Sequence, residues 1–230
     1  MAPERLSPSG RGPADGYGGY RQRLLEALRA AGIRDLAILR AFAETPRHLF
    51  VPDGVRHRAY DDAALPIGNG QTISRPSTQA RYLAALRLQG GERVLEVGTG
   101  SGYQTALLAA LAQQVFTVER VPALAERALA ALRAAGIQNI SLLVGDGTLG
   151  WSGYAPYDAV VVAAGGPEVP PPLIEQLAPG GRMLIPLGEP GGAQVLTLVE
   201  RDTSAGTGLR HRPLGDARFV PLIGQHGFDA

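Results

Sequence analysis

Residues 94–103 read Val94-Leu95-Glu96-Val97-Gly98-Thr99-Gly100-Ser101-Gly102-Tyr103. An apolar run broken only by Glu96 reads as a buried strand, and Tyr103 opens a helical pattern. Between them, Gly98, Gly100 and Gly102 make a turn that no side chain crowds. Strand, glycine turn and helix N-terminus together bring backbone N–H groups up to a ligand. The turn alone does not choose that ligand. A dinucleotide fingerprint, G-x-G-x-x-G, places its third glycine one residue later than Gly102.

Downstream, residues 115–119 form a second strand ending in Glu119, and Pro122 starts a helix that Gly136 ends. Residues 141–144 are a third strand, followed by Gly145-Asp146-Gly147. Residues 158–163, nearly all Val and Ala, are a fourth, buried on both faces. A short proline-started helix covers about 170–177, and Gly180-Gly181 turns the chain into a strand at 182–187. Strands at 194–200 and 217–223 follow without a crossover helix. The arginine- and glycine-rich piece 201–216 between them reads as a loop or hairpin. Strands alternating with helices predict an α/β fold, a doubly wound and mostly parallel sheet, with an antiparallel C-terminal edge.

Upstream, a helix starts at Arg21 with Leu24, Leu25 and Leu28 on one face and Gly32 closing it. Asp35 caps a second helix, whose inner face is Leu36, Leu39 and Phe42 and which Pro46 stops. Residues 1–20, rich in Gly, Pro and Ser, read as a disordered tail ahead of a single domain over 21–230.

With 230 residues, 45% hydrophobic and 19% charged, the chain can bury a substantial core. A net charge of +1 argues against nucleic acid as the main partner, since phosphate binding needs a basic surplus. All 22 basic residues are arginine. Without cysteine there is no disulfide, thiolate nucleophile or cysteine metal site. His48, His57, His211 and His226 show neither i, i+4 pairing nor an acid at ligand spacing, so no metal is expected. The apolar runs are too short for a membrane span, and residues 1–20 lack the apolar centre of a signal peptide. A cytoplasmic monomer is expected.

Residues 46–76 are the longest stretch without periodicity, and too apolar to be disordered. Gly68 and Gly70 permit unusual backbone angles. Thr72 and Ser74, on alternate positions, point the same way if extended. Two readings stand side by side: the hydroxyls face a ligand, or they cap the helix that Pro76 starts.

Glu119 lies at the carboxyl end of its strand, where doubly wound sheets bind ligands, and a carboxylate there accepts both hydroxyls of a ribose. NAD satisfies Glu119 equally well. The glycine turn carries no Lys or Arg for a pyrophosphate, and Glu96 suits an amino-acid and sulfonium group better. S-adenosylmethionine is therefore favoured. Asp146 falls where the adenine would lie.

The chain resembles the protein-L-isoaspartate (D-aspartate) O-methyltransferases over about residues 20–225. The most specific portion is Arg47-His48-Leu49-Phe50-Val51-Pro52, Ala59-Tyr60-Asp61-Asp62 and the run from Leu65 to Pro76. Residues 94–102, Val118-Glu119-Arg120, Gly145-Asp146-Gly147 and Arg218-Phe219-Val220-Pro221-Leu222 also match. The resemblance implies a class I methyltransferase fold and methyl transfer from S-adenosylmethionine to isoaspartyl or D-aspartyl carboxylates in damaged proteins. Within the single domain, residues 21–76 are expected to carry the N-terminal helices and substrate loop, 77–200 the cofactor-binding core and 201–230 a C-terminal loop and edge strand. Ser74 is then the catalytic residue, with Thr72, Ile73, Ala163 and Ala164 on the substrate. Cofactor contacts are implied at Gln71, Ser74, Glu96, Gly98, Thr99, Gly100, Ser101, Gly102, Glu119, Asp146 and Gly147. The chain departs from the family at Ala163, commonly Thr, and at Asn69, often His. Those departures keep open a relative that methylates ordinary aspartate in a dedicated peptide. An adenosine-binding protein without catalysis is the reading from another class.

Overall fold

Strands made of Val, Leu and Ala with little polar alternation have to be covered on both faces, and the computed structural model shows how. It describes residues 16–203 and 208–229. Helices α1 (Gly18–Ala30) and α2 (Leu36–Glu44) lead through two 3-10 turns, Arg47–Phe50 and Asp53–Arg58, to a small hairpin, β1 (Leu65–Gly68) and β2 (Gln71–Ile73). Then come α3 (Pro76–Leu86), β3 (Arg93–Val97), α4 (Tyr103–Ala109), β4 (Gln114–Glu119), α5 (Pro122–Ala134) and β5 (Ile140–Val144). The chain ends with β6 (Tyr157–Val162), α6 (Pro171–Glu175), β7 (Leu177–Gly188), β8 (Gln194–Arg201) and β9 (Leu209–Ala217).

The main sheet has seven strands in the order β5-β4-β3-β6-β7-β8-β9. Strands β5 to β7 of that order are parallel, and β8 and β9 add antiparallel. Strand order reverses between β3 and β6, which is where ligands bind in such sheets. Alternate residues feed two cores. Val94, Ala159 and Val161 pack with the leucines of α1 to α5, while Leu95, Val97, Val160 and Val162 pack with Tyr157, Leu173 and Leu177. No helix among the described residues is long and apolar enough to cross a membrane.

Several sequence expectations need correction. Helix α1 begins at Gly18, and the Tyr17 ring stacks on His48 at 4.1 Å, so residues 17–20 belong to the folded body. Residues 1–15 lie outside the described residues. Leu36 is 78% exposed, and α2 buries Ile38, Leu39, Ala41 and Phe42 instead. At 3.6 residues per turn, Leu36 lies about 140° around the helix from the middle of that face. Strand β7 already starts at Leu177 and passes through Gly180-Gly181 with a register irregularity. The last strand is Leu209–Ala217, inside the piece expected to be loop. As an edge strand it tolerates Pro213 and Gly215, which flank a register shift opposite Leu196 and Thr197. Residues 218–223 make isolated bridges only, one of them between Gly165 and Pro221.

Candidate active site

The turn after β3 is built by positive backbone angles: φ is +95° at Gly98, +55° at Gly100 and +85° at Gly102. A Cβ on Gly102 would lie 3.2 Å from the Ala128 Cβ and 3.3 Å from its carbonyl oxygen, so α5 packs directly on the turn. Within the turn, Gly98 N–H donates to the Val118 carbonyl and Gly102 N–H to the Thr99 carbonyl, both at 2.8 Å. The N–H groups of Thr99 and Ser101 have no acceptor among the described residues. They are the two donors the turn holds out.

Glu119, at the end of β4, anchors the turn from the side. Its Oε2 accepts from Gly100 N–H at 2.8 Å and its Oε1 from Val121 N–H at 2.9 Å. A carboxylate offers about four acceptor sites, so two remain for a ribose diol. Glu96 sits differently from the expectation. It is fully buried behind the turn, and its Oε2 accepts from Thr105 Oγ1 at 2.5 Å and Thr117 Oγ1 at 2.7 Å. Burial pushes its carboxyl up to about 7, against the two threonine hydrogen bonds. Asp146 is also turned away from the cavity. Its carboxylate accepts from Thr148 N–H, Thr148 Oγ1 and, across 79 residues, Gln225 N–H. Gly147 does line the cavity, and a Cβ there would fall 2.5 Å from Val97 Cγ1.

The same cavity is lined on its far side by Gln71, Thr72, Ile73, Ser74, Ala163 and Ala164. The helix-capping alternative for the hydroxyls fails: α3 has no cap from its preceding residues, and Ser77 N–H donates to Asp62 Oδ1 at 2.8 Å. With Asp62 doing the capping, the Ser74 hydroxyl keeps no partner among the described residues. Its carbonyl is fixed instead. Arg47, wholly buried, donates from Nη2 to the Ser74 carbonyl at 2.8 Å and from Nη1 to Gln79 Oε1 at 3.0 Å. The guanidinium lies 4.7 Å from the Tyr103 ring centroid, and burial lowers its pKa below the ordinary arginine value. Asn69 lies at the hairpin tip with φ +54°, a backbone region asparagine tolerates, and is not part of the cavity lining.

Sequence reading missed Arg47 as a structural clamp, Gln79 and Gln104 as cavity walls, and residues 220–223 as the roof. Residue Gln104 is 7% exposed, and its Nε2 has no hydrogen-bond partner among the described residues. An unpartnered buried donor beside two free N–H groups and a half-used carboxylate fits a ligand carrying an amino-acid carboxylate and a ribose. S-adenosylmethionine has both.

Fold and cavity together define a class I S-adenosylmethionine-dependent methyltransferase. The sequence matches the protein-L-isoaspartate(D-aspartate) O-methyltransferase family over residues 20–227, and the chain belongs to that family. It is 55% identical over 205 residues to protein-L-isoaspartate O-methyltransferase 1 of Anaeromyxobacter sp., covering 89% of this chain and 96% of the relative. It is 50% identical over 216 residues to the Rhodopseudomonas palustris enzyme of the same name, covering 94% and 87%. A solved protein-L-isoaspartate O-methyltransferase superposes with a TM-score of 0.82 at 30% identity, covering 90% of this chain and 67% of that one. A Plasmodium falciparum structure assigned to the same activity, in complex with S-adenosyl-L-homocysteine, gives 0.75 at 26% identity, covering 88% and 98%.

Proposed function

We propose that Ser74 seats the free carboxylate of an L-isoaspartyl or D-aspartyl residue in a damaged protein or peptide for methylation. The observation that carries this reading is the unpartnered Ser74 hydroxyl, held by Arg47 at the wall of the cofactor cavity. Thr99, Ser101, Gln104 and Glu119 hold S-adenosylmethionine, which when bound supplies an electrophilic methyl group on sulfur. An ordinary carboxyl titrates near pKa ~4 and is ionised at neutral pH. It therefore needs no general base, and the protein's task is alignment, worth several kcal/mol. The substrate oxygen loses charge as the ester forms. A cationic clamp on it would favour the ground state, whereas the neutral Ser74 hydroxyl orients it without that cost. The methyl ester then closes to a succinimide without the enzyme and hydrolyses partly to normal aspartate.

Placing Asn69 outside the cavity leaves Ala163 as the sole departure near substrate. The test is methyl transfer from S-adenosylmethionine to an isoaspartyl peptide and to its aspartyl twin. Ester and methanol are expected from the isoaspartyl peptide only. Equal methylation of the twin would overturn the assignment, and cofactor binding with no ester on either peptide would point to a non-catalytic adenosine-binding protein.

A further inference from the structure

A cleft of about 1170 Å³ adjoins the cofactor cavity and shares Thr72, Ser74, Ala163 and Val220 with it. Small-molecule sites typically span ~300–1,000 Å³, so this space suits a stretch of polypeptide. One wall is α3 and the residue before it, carrying Arg81 and Arg75, and the other is β9 and the residues after it, carrying Arg212 and Arg218. All four arginines are exposed. Their guanidinium groups make no hydrogen bond or ion pair among the described residues, whereas Arg40, Arg58 and Arg87 pair with Glu44, Asp61 and Glu200. Among the described residues of the lining, Asp216 is the one carboxylate. Four cations against one anion is a local field that a chain of net charge +1 does not produce by composition. The floor is apolar: Tyr82 stacks on Phe219 with centroids 5.6 Å apart, and the buried Tyr82 hydroxyl has no partner among the described residues.

We propose that this cleft holds the polypeptide flanking the isoaspartyl residue and favours flanks that carry Asp or Glu. The proposal rests on Ser74 as the seat of the substrate carboxylate, because the cleft reaches the cofactor through Ser74 and Thr72. Exposed ion pairs are individually weak, about threefold each at low salt. Two acting together give about tenfold, and salt screens them within a Debye length of ~10 Å at 0.1 M.

The test uses three isoaspartyl peptides that differ only in the two residues on each side of the isoaspartate: glutamate, glutamine or lysine. In the parent enzyme at low salt, kcat/KM should fall in that order, with about tenfold between the ends. The difference should lie in KM and shrink toward unity in 0.5 M salt. The Arg81→Glu, Arg212→Glu double variant should reverse the order while binding S-adenosylhomocysteine as the parent does, which also reports that it is folded. The milder Arg81→Gln carries the same test at about threefold should the double variant not fold. Equal kcat/KM for all three peptides in the parent overturns the proposal and leaves isoaspartyl methylation standing. An order unchanged in both variants overturns the role of these arginines. No methylation of any peptide overturns the Ser74 reading beneath it.

Discussion

At the residue scale, Ser74 divides its two oxygens between two tasks. Arg47 holds the carbonyl at 2.8 Å, and the hydroxyl, without a partner among the described residues, is left free at the cavity wall. Ser74→Ala should therefore keep S-adenosylhomocysteine affinity and slow methylation by about 10²-fold, or ~2–3 kcal/mol, the cost of misplacing a reacting group by ~1 Å. Single-turnover methylation alongside calorimetric binding checks this, and unchanged turnover would remove Ser74 from the mechanism. Glu96 makes the second residue-scale prediction. Its ordinary pKa is 4.5 and its folded value is about 7, raised by burial. Below pH 4.5 folded and unfolded chains both hold the proton. Between pH 4.5 and about 7 only the folded chain does, so stability falls as pH rises through that window and levels off above it. The full loss is about 3 kcal/mol. Glu96→Gln does not titrate. Relative to the parent it should gain about 2–3 kcal/mol between pH 5 and pH 8 in urea unfolding. A pH-independent difference would show that Glu96 ionises normally in the folded chain.

At the element scale, α3 begins two residues after Ser74, and its cap comes from Asp62, fifteen residues upstream. Asp62→Ala should cost about 1 kcal/mol in denaturant unfolding and raise KM for peptide, because the first turn of α3 continues directly from Ser74. A change in stability with KM untouched would separate helix from site. This cap also marks the limit of what local pattern reveals. Asp35 was legible because it sits next to the helix it caps, with Ala37 and Ile38 N–H within 3.2 Å. Asp62 was not, since its partner is set by the hairpin that intervenes. The glycine turn and the parallel strands were legible because burial on both faces writes an unbroken apolar run. Strand β9 was illegible for the opposite reason: it is an edge, mostly exposed, and its arginines, Pro213 and Gly215 read as loop. The clamp made by Arg47 was not legible because nothing in the run Arg47-His48-Leu49-Phe50-Val51-Pro52 says what its guanidinium meets, which only its packing on Tyr103 and the Ser74 carbonyl shows.

At the scale of the whole molecule, the cavity is closed by chain ends far apart in sequence. Residues 218–223 reach it from beyond β9. There Gln194 accepts from Phe219 N–H at 2.8 Å and donates to its carbonyl at 3.1 Å, while Gly165 exchanges hydrogen bonds with Val220 and Leu222. A Cβ on Gly165 would sit 2.4 Å from Gln194 Nε2, so Gly165 is what admits this clamp. The next residues are held from the other side, by Asp146 on Gln225 N–H and by Thr148 Oγ1 on His226 N–H at 3.2 Å. Burial pulls the Asp146 carboxyl up, but the hydrogen bonds from Gln225 and Thr148 outweigh it and leave its pKa lowered. This anchoring is therefore present above the unfolded carboxyl pKa and fades as pH falls through the folded one. An effect of Asp146 on cofactor binding is therefore expected to pass through the roof at 220–223. Asp146→Ala should abolish amide-exchange protection at Gln225 and His226 and weaken S-adenosylhomocysteine binding together, as an untethered roof must be ordered again on each binding event. If affinity falls while protection at 225 and 226 persists, the carboxylate touches the cofactor itself and the roof is held without it, by Gln194 and Gly165.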